Sequence, residues 1–370
     1  SQVTAAACAC LFVSFLSNAL AQPAPSCGNG TDAAPRPLTG VALAATRDGT
    51  LYFADRTTSL VRKITPAGVI ANVAGTGTPG FAGDGGNASA GQIGLVAQLS
   101  VDGSGNLFIA EASPGRVRKV TPGGTITTVA GSGRTGFEGD GGPATSASLC
   151  TPAGMALDGS GNLYLGFEVP GMALEGDRGY RVRRVTPAGI ITTVADAGTQ
   201  ESTTGGSAAA DVTPARTGPA RVTSLTAHPD GTLYFSDGAR IRRMTPGGTI
   251  TIAAGTGRRG VAADGLAAAS SDIGLIVDVE IDDAGNLLFS EGGSNRIRTI
   301  SRLGILGTMS GSEPGAPGSP RRPRDLATDG AGNVFFVERL SLTGSPPDNQ
   351  AWLIRKLTRQ GAASTLFMLP

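Results

Sequence analysis

The sequence predicts an all-β chain, specifically a six-bladed β-propeller of four-stranded antiparallel blades. Three observations carry this. A unit recurs six times from Gly40 onward, with an apolar marker residue at Leu51, Leu107, Leu163, Leu233, Leu287 and Val334. The intervals are 56, 56, 70, 54 and 47 residues, and each unit holds four short β-branched runs split by turn residues, the pattern of a four-stranded sheet. Composition agrees, with 57 glycines, 12 phenylalanines and one tryptophan in 370 residues and almost no sustained helical period. One such sheet cannot bury both of its faces, so the units must stack around an axis as a single domain.

The N-terminal segment stands apart from the repeats. Ala5 to Leu16 is a small-to-apolar run, and Ala19-Leu20-Ala21 before Gln22 has the form of a signal-peptidase site. Residues 1–21 therefore read as a secretory signal, 22–38 as an N-terminal arm and 39–370 as the propeller. The apolar run is shorter than the roughly 20 residues of a membrane span. A secreted or periplasmic monomer is expected. Removal of the signal takes Cys8 and Cys10 and leaves Cys27 and Cys150. In an oxidising compartment these two either form a disulfide or stay as separate thiols. A formal charge of +1, from 30 basic and 29 acidic residues, offers no basic face for nucleic acid.

Within the blade, the first turn reads Asp-x-x-Gly-Asn, as in Asp102 to Asn106, Asp158 to Asn162, Asp282 to Asn286 and Asp329 to Asn333. Asp and Asn supply side-chain turn bonds, and Gly supplies positive φ. The turn between the third and fourth strands is Thr-Pro-x-Gly, beginning at Thr65, Thr121, Thr186 and Thr245. Strand alternation puts both tight turns on one rim. Length variation falls on the other, after Glu168, after Glu338 and from Asp196 to Pro219. An unidentified protein or small ligand is expected at that long-loop rim. The ring is expected to close by side-chain packing between the first and last blades, or through the arm.

The core GNLYxAD…RVRKVTPxGxITTVAG and the GFxGDGG linkers at Phe81 to Gly86 and Phe137 to Gly142 resemble the NHL-repeat family of six-bladed propellers, from Gly40 to Leu369. The resemblance implies the fold and no particular activity, since such propellers serve as lyases, sensors and scaffolds.

What occurs in every blade serves the blade; what occurs once is a candidate for function. An acid closes the second strand in all six units (Asp55, Glu111, Glu168, Asp237, Glu291, Glu338), and an arginine sits in every third strand (Arg62, Arg118, Arg183, Arg242, Arg298, Arg355). These read as repeated charge pairs or turn caps. Three G-x-G-x-x-G stretches, starting at Gly75, Gly131 and Gly255, open no helix and so are not dinucleotide loops. A lone Asp in GDGG supplies too few oxygens for calcium, which takes about six to eight. The single histidine, His228, aligns with the turn aspartates. It cannot build the multi-histidine zinc site on which the peptide-amidating lyases, which resemble this fold, depend.

One departure from the repeat stands out. Residues two and four before the first turn should line the central channel. There blades one and three carry Ala and Gly, whereas blade two has Gln98 and Ser100, blade four Ser224 and Thr226, blade five Asp278 and Glu280, and blade six Asp325. Crowded carboxylates need a cation, a shared proton or a basic ligand. Asp278, Glu280 and Asp325 are thus candidate metal ligands, with calcium as the candidate cofactor, and Gln98 and Ser224 are candidate ligand contacts. The plainer reading is a water-filled channel. On the long-loop rim Arg258 and Arg259, with Arg134, Arg178, Arg321 and Arg322, form a candidate anion contact. The only aromatics assigned to that rim are Phe167, Tyr180 and Trp352. Two functions follow: a non-catalytic binding or scaffold module acting through the long-loop rim, or a calcium-dependent hydrolase of the lactonase or esterase kind using the channel.

Overall fold

The computed structural model describes residues 41–55, 58–112, 115–169, 179–197, 222–311, 321–341 and 350–369. Its strands form six four-stranded antiparallel sheets, each consecutive in sequence, and the six-bladed propeller follows. The inner strands are Val41–Ala45, Val96–Val101, Gly154–Leu157, Leu225–Ala227, Ile276–Ile281 and Arg324–Thr328. Helix is confined, among the described residues, to three-residue 3-10 turns at Ala88–Ala90, Ala144–Ser146 and Ala268–Ser270, each inside an inter-blade linker. None of these is long and apolar enough to cross a membrane.

The tight turns form for the reasons their residues imply. Asp102 Oδ1 accepts from the backbone N–H groups of Ser104 and Asn106, both at 2.9 Å, and Oδ2 accepts from Asn106 Nδ2 at 2.7 Å. The same turn-closing set recurs at Asp158 and Asp329. His228 fills that place in blade four, one-third exposed and 3.0 Å from Asp230, as a solvated turn residue.

Alternation sends successive side chains to opposite faces of each sheet. In blade two Leu107 and Ile109 pack toward blade one, while Phe108 and Ala110 pack toward blade three. The buried apolar residues accordingly divide into one cluster per seam between neighbouring blades. The sixth seam closes the ring, with Val41, Leu43, Phe53 and Ile64 of blade one against Ala327, Phe335, Val337 and Ile354 of blade six. Blade six builds its sheet wholly from its own strands, ending at Ala363–Leu369. Among the described residues, blades one and six meet by side-chain packing.

The repeated acids and arginines form ion pairs in blades two, four and six. Arg242 meets Asp237 at 2.6 Å, Arg355 meets Glu338 at 2.6 Å and Arg118 meets Glu111 at 3.4 Å. Arg118, Arg183 and Arg298 are fully buried. Each also reaches the aspartate of the preceding GDGG-type linker: Asp84 at 2.6 Å, Asp140 at 2.5 Å and Asp264 at 3.0 Å. Asp84 further accepts from Thr128 N at 3.1 Å and Thr128 Oγ1 at 2.7 Å in the outer strand. The linker is thereby clasped to the blade it enters. Burial would raise the Asp84 carboxyl, but Thr128 and Arg118 outweigh it and hold the group below the usual carboxylate range.

Two placements differ from the sequence reading. Phe167 and Tyr180 are fully buried, not rim residues. The second and third strands of blade three extend over Leu163–Val169 and Gly179–Val185, so both rings stay inside the sandwich. Phe167 meets Phe137 edge-on with centroids 5.3 Å apart, and Tyr180 meets Phe235 at 5.2 Å. Trp352 packs partly buried against the closing seam. The signal, the arm, Cys27, Arg178 and the long insertions lie outside the described residues. Cys150 is disulfide-bonded, to a cysteine that also lies outside them.

Candidate functional site

The inner strands surround a cavity of ≈ 190 Å³ whose wall includes Gln98, Ser224, Thr226, Asp278, Glu280 and Asp325. The channel prediction therefore brings five of the proposed site residues together. Blades one and three contribute Ala44, Gly154 and Ala156, so the polar wall is one-sided. Gly154 has a packing reason to be glycine: a Cβ there would stand 2.7 Å from Leu225 N in the next inner strand.

Asp278 is the centre of the wall. It accepts from the Ser224 hydroxyl of blade four, the Leu326 N–H of blade six and, at 3.0 Å, the Val279 N–H of its own strand. Ser224 Oγ in turn accepts from Val279 N at 3.0 Å. One carboxylate thus ties three blades together at the axis. Burial, then the nearby Asp325, push the Asp278 carboxyl up to about 7. Burial, then Asp278, push Glu280 up to about 8. Burial thus favours the neutral form of both acids, and of Glu280 the more strongly at neutral pH. Gln98 donates Nε2 to Ala153 O at 3.0 Å, which spans blades two and three.

The inner strands are not regular here. The register slips just before Gln98 and Asp278, and again between Arg324 and Ala327. Such bulges re-aim side chains beside sites. Asp325 lies in the slip of blade six at φ 43, a left-handed conformation that Asp tolerates better than most residues.

Arg258 and Arg259 do not join this wall. They stand exposed in the linker between blades four and five, with Arg258 Nε 3.8 Å from Asp272. The predicted ligand set thus occupies two separate places. Calcium fits the channel poorly as arranged. Among the described residues no three His, Cys, Asp or Glu side chains group as a metal cage. Asp278, moreover, already spends its oxygens on three donors. The linker aspartates were the residues that sequence reasoning missed. Their signal, an Asp recurring in the linker ahead of each of three buried arginines, is visible only once the blades are stacked.

The fold and channel define a six-bladed propeller with an acidic axial wall. No family model matches the chain, and no curated protein is similar to it in sequence. Among solved structures, a streptogramin B lyase is similar over 90% of this chain and 84% of its own, at 15% identity and TM-score 0.49. A protein of unknown function from Bacteroides thetaiotaomicron is similar over 85% and 71%, at 17% identity and TM-score 0.51. A gluconolactonase from Xanthomonas campestris is similar over 80% and 82%, at 16% identity and TM-score 0.48. At such identities the likeness speaks to fold alone.

Proposed function

We propose that this chain is a secreted, NHL-type propeller that works as a binding module, receiving a single cationic group in its channel and a protein partner at its long-loop rim. The supporting observation is the one-sided cavity wall, where Asp278, Glu280 and Asp325 stand beside the neutral oxygens of Ser224 and Thr226. An ammonium or guanidinium needs only one or two carboxylates and would replace the proton that Glu280 holds up to about 8. Affinity should therefore rise with pH between about 7 and about 8, as Asp278 and Glu280 give up their protons.

A second reading, a lactonase- or esterase-like hydrolase, draws on the same group. A carboxyl that titrates near 8 suits general acid–base work at neutral pH. Thermal melts separate the readings. Agmatine at pH 9 should raise the melting temperature of the wild type and leave Glu280→Gln unmoved. No shift with agmatine would overturn the cation-binding reading. A shift with calcium alone, removed by chelator and by Asp278→Asn, would replace it with a calcium site. Turnover of lactones or aryl esters that Glu280→Gln abolishes would replace it with the hydrolase.

A further inference from the structure

The linker entering blade five breaks a pattern that the linkers entering blades two and three share. Aligned on their aspartates, Phe81 and Phe137 correspond to Val261, Gly83 and Gly139 to Ala263, and Gly86 and Gly142 to Leu266. In blade two the Phe81 ring lies under Arg116 and Arg118, whose guanidinium carbons are 3.9 and 4.8 Å from its centroid. In blade three Arg181 stands 4.5 Å from the Phe137 ring. Each linker so provides the aromatic face that its blade's arginines use.

Blade five keeps the arginines and lacks the ring. Arg296 and Arg298 occupy the places of Arg116 and Arg118, and Arg298 still reaches Ala262 O at 3.1 Å, as Arg118 reaches Ala82 O at 3.5 Å. Arg298 is fully buried, yet its Nη1 has no hydrogen-bond partner, and the nearest Glu291 oxygen is 4.0 Å away. Arg118 Nη1, by contrast, donates to Gln92 O at 3.3 Å and Glu111 at 3.4 Å.

The backbone differs as well. Gly83 and Gly139 have φ of 89° and 95° and pass so close to the returning limb that a Cβ would fall 2.8 Å from Gly91 Cα or 2.9 Å from Ala147 Cα. Ala263 carries a Cβ and does not take that left-handed path. Beside it lies an open hollow of ≈ 570 Å³, lined by Val261, Ala262, Leu266, Ala267 and Asp272 among others. Val261 and Leu266 are 59% and 50% exposed. Asp272 is already engaged by the Thr256 hydroxyl and by Arg258 at 3.8 Å. Arg259 beside it adds a second exposed positive charge.

We propose that this hollow receives an aromatic side chain flanked by carboxylates, presented by an extended segment of a partner protein. The ring packs in the hollow against Val261 and Leu266, supplying at this linker the aromatic that Phe81 and Phe137 supply at theirs. The flanking carboxylates meet Arg258 and Arg259. This surface lies on the outside of blade five and stands or falls independently of the channel.

The probe is the peptide acetyl-Asp-(4-fluoro-Phe)-Asp-amide, followed by fluorine NMR line broadening against the full chain. Wild type should bind it at least tenfold more tightly than Val261→Phe, which supplies the ring internally as blades two and three do and should melt no lower than wild type. Arg258→Glu with Arg259→Glu, both on the surface, should weaken binding by a similar factor while leaving Val261 and Leu266 unchanged. Competition by acetyl-Asp-Leu-Asp-amide should be at least tenfold poorer than by the phenylalanine peptide. Equal competition, undiminished binding to either variant, or no binding to wild type would overturn the proposal.

Discussion

The propeller buries carboxylates in two regions and keeps each by a different means. On the second strands, Glu111 and Glu338 face guanidinium groups at 3.4 and 2.6 Å. At the axis, Asp278 and Glu280 face hydroxyl, amide and one another. Even in the first region burial pushes the Glu111 carboxyl up against the pull of Arg118, which shows how costly an anion is between blades. In the second region Asp278 accepts from hydroxyl and amide donors, and burial favours the protonated acid. A paired acid belongs to the scaffold; an acid neutralised only by a proton can exchange that proton for something else.

Removing one side of the paired region should have the largest effect. Arg118→Ala leaves Glu111 buried without its counter-ion and releases Asp84, so a loss of about 3–5 kcal/mol is expected in denaturant unfolding at pH 7. The double change Arg118→Met with Glu111→Leu should recover most of it. An Arg118→Ala protein as stable as wild type would erase the distinction between the two regions.

The axial region should respond to pH in the opposite sense from an ordinary ion pair. Asp278 and Glu280 have folded values of about 7 and about 8, above their unfolded ones. Their protonated forms are therefore favoured in the folded state. Their contribution is complete below about pH 4 and is lost as pH rises through about 7 to about 8. Wild type should lose stability relative to Glu280→Gln across that window, on the order of a few kcal/mol. Parallel stability curves for the two proteins from pH 4.5 to 9 would show that Glu280 is not held protonated.

The smallest effect sharpens the contrast from outside both regions. His228→Asp restores the turn residue of the other blades and should raise stability by no more than about 0.5 kcal/mol. A large loss in the melt would reveal a role for this imidazole that its solvated turn does not suggest.

The blades were legible because their turn chemistry repeats: Asp102, Asp158, Asp282 and Asp329 mark the same corner each time. The channel wall was legible because Ser224, Asp278 and Glu280 fall at even spacings before that corner. Asp325 was legible by the same spacing, four residues before Asp329, although the register slip it sits in was not. The clasp between Asp84 and Arg118 was hidden, since the partners lie on different elements and meet only after the linker folds over its blade. Phe167 and Tyr180 were misplaced because extra strand length and extra loop length look alike at a rim.

Ring closure has a consequence for how this protein comes into being. The seam between blades one and six joins Val41 and Leu43 to residues as distant as Val337 and Ile354. During synthesis, blade one holds an uncovered greasy flank for roughly tens of seconds until blade six leaves the ribosome. Among the described residues no strand is shared across that joint, so there packing alone marks it as the beginning. The same circle opened at another seam should fold again, with a different blade left waiting.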